Sequence, residues 1–154
     1  MTGRVQGPAR LFGFAGLLPQ IAVVVMIAFG NRRGDWAPSV VDYAAIIGIA
    51  YPLTILCFIG GIWWGLAMRS EAGQGPRVAV AVVPSLAALV LPLVVTRSMG
   101  WAMVAIGSAI LLTLIVDRRI VARGDAPVGW MGLRIPLSVG LGGLTIIGGV
   151  LLGR

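Results

Sequence analysis

The chain has 154 residues, 58% of them hydrophobic and 11% charged, with a formal net charge of +7 and a mean hydropathy of +1.00. Soluble domains carry about a quarter charged residues, so this composition excludes an ordinary water-soluble fold, and its hydrophobicity excludes disorder. A single Cys excludes an intramolecular disulfide framework. Without His, zinc and non-haem iron sites lose their commonest ligand, and no metal or other cofactor is expected.

Taken in chain order, residues 11–31, 43–68, 78–96, 98–116 and 135–153 contain no formal charge and run 19 to 26 residues each. A helix rising about 1.5 Å per residue needs roughly 17–25 apolar residues to cross the hydrocarbon layer. The expected fold is therefore all-α: a polytopic membrane protein, one integral domain over residues 1–154. Its bundle of five transmembrane helices has spans at about 11–30, 44–68, 78–96, 100–116 and 135–152. Runs such as Ile21 to Phe29 and Ala109 to Val116 are almost continuously apolar. A transmembrane barrel strand would alternate over about ten residues, and in lipid only a helix satisfies its backbone within one segment. The first run is about twenty residues, longer than a signal-peptide core, and Ala28-Phe29-Gly30 is a poor cleavage site. It is read as a retained span.

The connections are short: 31–42, 69–77, a tight hairpin at 97–100, and 117–134. With five spans, Arg4, Arg10, Arg69, Arg77, Arg118, Arg119, Arg123 and Arg134 share one side, and Arg32, Arg33, Arg97 and Arg154 the other. The positive-inside rule then places the amino terminus in the cytoplasm and the carboxyl terminus outside. Trp36 and Trp101 fall at the outer ends and Trp63, Trp64 and Trp130 at the inner ends, where an amphipathic indole prefers to lie. The positive charge belongs to arginines flanking spans, and no basic face or motif points to nucleic acid.

Within the spans, Gln20 follows Pro19 in the first, and Tyr51, Thr54 and Cys57 lie in the second. Tyr51 and Thr54 share a helix face, and Gln20 and Tyr51 are placed to meet at mid-depth. An interhelical hydrogen bond, worth about 1 kcal/mol, is the plainer use of such residues; a small polar cavity for a solute or lipid headgroup is the functional one. Prolines recur at Pro19, Pro52, Pro84, Pro92 and Pro136. They kink helices, and broken helices mark some transporter sites, although no inverted repeat accompanies them here. Gly60, Gly61 and Gly65, and Gly149 and Gly153, are the candidate helix-packing positions; two GxxxG spacings, Gly61 to Gly65 and Gly149 to Gly153, allow close backbone approach.

Of the carboxylates, Asp35 and Asp42 fall outside and Glu71, Asp117 and Asp125 inside. Asp42 and Asp117 lie at opposite ends of the bilayer and cannot act on one bond. Asp117 is placed to pair with Arg134 across the 117–134 loop. Asp117, Trp130 and Arg134 are the candidate interfacial residues, with Arg134 expected to snorkel to the surface or stack on Trp130. No HExxH, GxSxG or phosphate-binding glycine loop is present.

The run Tyr51-Pro-Leu-Thr-Ile-Leu-Cys-Phe58-Ile-Gly60-Gly61-Ile-Trp-Trp64-Gly65 resembles the second-span signature of the domain-of-unknown-function 3429 family, whose members include mitochondrial proteins named transmembrane protein 69. Gly16-Leu-Leu-Pro19, Val83-Pro84-Ser85, and Asp117 followed by Pro127, Trp130 and Leu133-Arg134 are similar to its first span, third span and last loop. Gln20 and Met131 stand where members often carry aromatics. The resemblance implies a five-span inner-membrane protein of bacteria or mitochondria and no established activity.

The expectation is a small non-enzymatic membrane component acting through its helix faces. It would sit multi-pass in a bacterial inner membrane with its carboxyl terminus periplasmic. Its partners would be the lipid bilayer and either a larger membrane complex or a second copy. The alternative is a transporter of small solutes or lipids with its site at Gln20, Tyr51 and Thr54. A membrane enzyme is the third option, and it lacks a nucleophile, base or metal set.

Overall fold

The computed structural model describes residues 7–33, 38–69, 73–94 and 98–153. Arg4, Asp35, Trp36, Glu71, Arg97 and Arg154, which enter the charge and tryptophan readings above, lie outside the described residues. Six helices follow one another among the described residues: α1 (Gly7–Ala15), α2 (Leu18–Arg33), α3 (Pro38–Ala67), α4 (Gln74–Val94), α5 (Met99–Ala122) and α6 (Trp130–Leu152). Among the described residues, five stretches are long and apolar enough to cross a membrane, α1 and α2 together forming the first.

That first span differs from the expected continuous helix. It breaks at Gly16 and Leu17, and the reason is Pro19. Proline has no N–H to give to the carbonyl four residues earlier, and its ring clashes there. The chain tightens instead, with the Leu17 N–H bonding Phe14 O at 3.0 Å, and the helix resumes as the Ile21 N–H finds Leu17 O.

The last connection also differs. Residues 117–122 continue α5, so the loop shrinks to 123–129. α5 starts at Ser98, whose hydroxyl accepts the Trp101 N–H, and ends where Gly124 turns left-handed at φ 77°. There the Asp125 N–H bonds Ile120 O and the Gly124 N–H bonds Val121 O, the Schellman closure that a glycine permits.

α5 lies at the centre of the bundle. Met103, Ile106, Ile110, Thr113 and Asp117 recur at helical spacing and are all buried. Met103, Ile106 and Ile110 meet Leu56 of α3, Val23 and Ile27 of α2, and Leu141 of α6. α5 and α6 approach at backbone distance through paired glycines. A Cβ on Gly107 would stand 2.6 Å from Gly142 O, and one on Gly100 2.6 Å from Gly149 O. α4 packs mainly on α3 and only sparsely on α5. Phe58, Leu89, Leu93, Trp101 and Leu112 point outward. In water such exposure is a liability; on spanning helices it is the surface that lipid covers.

Candidate functional site

A buried ionic cluster joins three helices at their arginine-rich ends. Asp117, one turn before the end of α5, is fully buried. Its Oδ2 accepts from Arg134 Nε at 2.8 Å, and its Oδ1 accepts from Trp63 Nε1 at 3.0 Å and Trp130 Nε1 at 3.1 Å. The Arg134 guanidinium also donates through Nη2 to Thr113 Oγ1 at 3.2 Å, and that hydroxyl donates to Ile110 O at 2.6 Å. One carboxylate thus gathers two indoles and a guanidinium from α3 and α6. Its charge is matched and both its oxygens are occupied, which is what a buried ion needs where water is excluded.

Helical phase explains why these side chains converge. On α5, Asp117 follows Thr113 and Ile110 at intervals of four and three. On α6, Arg134 heads the row Ser138, Leu141, Thr145, all buried. On α3, Trp63 follows Leu56 and Ile59 on the inner face, whereas Trp64 points outward. The sequence pairs Asp117 with Arg134 but places Arg134 snorkelling or stacked on Trp130. In the structure Arg134 is 7% exposed and turned inward, and the Trp130 indole N–H goes to the carboxylate. Trp63, read from the sequence as an interfacial tryptophan, and Thr113, not singled out, complete the cluster. The signal for both was their phase with the apolar stripe rather than their chemistry.

The residues expected at mid-depth do not form one site. Gln20 is fully buried, and its Nε2 donates to Gly48 O at 3.4 Å. That carbonyl lacks its ordinary helical donor because residue 52, four positions on, is proline. Tyr51 donates its hydroxyl to Gly16 O, at the break in the first span. The two side chains therefore tie the start of α2 to α3 by separate bonds. Thr54 is exposed and returns its hydroxyl to Tyr51 O at 2.7 Å, away from Gln20. Gln20 Oε1 and Ser138 Oγ are buried without a hydrogen-bond partner among the described residues. A cavity of about 190 Å³ opens between α1, α3 and α6, with Tyr51, Arg134 and Ser138 as its polar wall.

The five candidate packing glycines divide. Gly60 lies against α4, where a Cβ would stand 2.7 Å from Ala81 O, and Gly149 lies against Gly100 of α5. Gly61 and Gly65 are exposed on α3 with nothing within 4 Å of a Cβ, so among the described residues that GxxxG pair packs on no helix. Gly153 sits past the last helical turn of α6, its N–H on Gly149 O, and serves as an end cap. Gly100 and Gly107, not singled out from the sequence, face Gly149 and Gly142 at backbone distance, and the Gly149–Gly100 approach is the tightest of these.

These features define a multi-pass α-helical membrane protein whose packed interior is closed by an ionic cluster at one membrane face. The chain belongs to the family described as "Protein of unknown function (DUF3429)", which it matches over residues 5–150. It is also similar to Transmembrane protein 69 of Xenopus tropicalis, 32% identical over 84 residues. That alignment covers 53% of this chain and 30% of the relative, so the chain spans under a third of the relative's length. No solved structure matches the chain.

Proposed function

We propose that this protein is a non-enzymatic component of a bacterial inner membrane that associates with another transmembrane helix through the outer face of α3. The observation that carries this reading is the exposed, uncovered pair Gly61 and Gly65. They continue a row of small exposed residues, Ala50, Thr54 and Cys57, spaced by three or four positions along α3. From Ala50 to Gly65 the row covers about 22 Å of helix, most of the hydrocarbon thickness. Small residues at this spacing let two helices approach until their backbones touch, and that packing drives association in lipid. The chain's other close glycine contacts are used inside its own bundle. The non-enzymatic reading is supported by Asp117, whose oxygens are held by three donors, an arrangement that fixes a charge rather than moving a proton.

Isolation of the full chain in mild detergent, with chemical cross-linking in the native membrane beforehand, tests this reading. The wild-type chain should migrate with a second copy or a co-purifying membrane protein. Gly61→Leu/Gly65→Leu should release it as a monomer that remains folded, with a melting temperature no lower than that of the wild type. A strictly monomeric wild-type chain with no cross-linked product contradicts the reading.

A further inference from the structure

The gap between α4 and α5 has the dimensions and the charge distribution of a lipid site. On the arginine-rich side, a cavity of about 140 Å³ opens between the ends of α3, α4 and α5, with Arg77, Arg119, Arg123 and Asp125 around its mouth. Asp125 pairs with Arg77 at 3.3 Å. Arg119 and Arg123 stand one turn apart on α5, and neither makes an ion pair among the described residues. Among the described residues, one carboxylate stands with three guanidinium groups at the mouth. Deeper in the bilayer a second cavity, of about 300 Å³, runs between α4 and α5 past Leu56, Ala87, Ala109 and Leu112. Trp63, Val80 and Val116 line both cavities, so the two adjoin and follow one another along a groove between α4 and α5.

Its length is informative. From Ala109 to Arg123 the groove follows α5 for about 21 Å. That equals one leaflet of a bilayer with its headgroups, about 20–22 Å. Its chemistry changes along that length as a phospholipid's does, from an apolar channel at the midplane to guanidinium groups at the surface. Guanidinium forks match phosphodiester oxygens, and basic pockets between spanning helices are a recurrent setting for anionic headgroups.

We propose that this groove binds an anionic glycerophospholipid from the arginine-rich leaflet. The phosphate lies among Arg77, Arg119 and Arg123, and an acyl chain lies between α4 and α5. The lipid fills the gap that α4 leaves by packing on α3. Trp63 is shared by the two sites: its N–H is fixed on Asp117, and that holds its ring as the groove's wall. The site is separate from the small-residue face of α3 and stands whether or not that face has a partner.

Native mass spectrometry of the full chain in nanodiscs of mixed phosphatidylglycerol and phosphatidylcholine tests the proposal. The wild type should retain phosphatidylglycerol in preference to phosphatidylcholine. Arg119→Gln/Arg123→Gln should lower that retention on the order of tenfold. Arg118→Gln, which removes an exposed arginine of α5 that does not line the groove, should leave it unchanged. Ala87→Phe should displace the lipid with all arginines in place, which covers the case in which the double variant folds poorly. Equal retention of the two lipids overturns the proposal. So does a loss in Arg118→Gln equal to that in the double variant, or full retention in Ala87→Phe.

Discussion

At the scale of residues, the molecule concentrates its buried charge in one place and surrounds it completely. Asp117 is fully buried and Arg134 nearly so, and each would be costly alone. Removing one partner of a buried, hydrogen-bonded pair typically costs about 3–5 kcal/mol, because the survivor remains buried and unmatched. Asp117→Ala should therefore destabilise the chain by about that amount, leaving the Arg134 charge unmatched and the N–H groups of Trp63 and Trp130 without their acceptor. Asp117→Leu/Arg134→Leu should recover much of the loss, since two apolar side chains need no partner there. Thermal unfolding of the singles and the double in one detergent checks this, and strictly additive losses would mean the two residues do not act as a pair. The pairing itself was legible from sequence, because two opposite charges flank one short loop. Their burial was not, because charge is ordinarily read as a mark of the surface. Helical phase carries the missing information: Asp117 lies in register with Ile110 and Thr113, and Arg134 with Ser138 and Thr145. Gln20 teaches the same lesson through Pro52, whose missing N–H leaves the Gly48 carbonyl open to a donor from another helix.

At the scale of elements, two kinds of local chemistry shape the bundle. Pro19 breaks the first span into α1 and α2, and the Tyr51 hydroxyl anchors the break by bonding Gly16. Glycine sets how closely helices pack, but only where its missing side chain is needed. Gly107 faces the Gly142 carbonyl, whereas Gly61 faces nothing among the described residues. The same substitution should then have opposite effects. Gly107→Ala should destabilise by about 1–3 kcal/mol, because backbone on the facing helix cannot move aside as a flexible side chain does. Gly61→Ala should stabilise by about 0.5–1 kcal/mol, the usual gain of Ala over Gly inside a helix. Melting temperatures measured under the same conditions decide it, and a shared sign would contradict the assignment of the two faces. The sequence shows the positions and lengths of the spans because charge ends each apolar run. It does not distinguish the glycines, since GxxxG recurs by chance in a chain with 23 of them. The informative pattern was the seven-residue spacing of Gly100 with Gly107 and of Gly142 with Gly149, which meet in antiparallel order.

At the scale of the whole molecule, lipid rather than water is the solvent that makes this arrangement stable. Large side chains such as Leu89 and Leu93 face outward, while Asp117, Gln20 and Thr145 face inward. The five crossings put the end of α3, the start of α4 and the 123–129 loop on one face, and the start of α5 on the other. The ionic cluster and the proposed lipid groove both lie at the first of these faces. We propose from the arginine excess expected there that this face is the cytoplasmic one. Substituted-cysteine labelling in intact bacterial cells tests this arrangement most directly, in a Cys57→Ser background that removes the one native thiol. Met99→Cys, at the start of α5, and Val128→Cys, in the loop before α6, should react from opposite sides. A membrane-impermeant maleimide should reach the cysteine at 99 in intact cells and the one at 128 only after the membrane is opened. Labelling of both from the same side would contradict the five-crossing arrangement, and the reverse pattern would contradict its orientation.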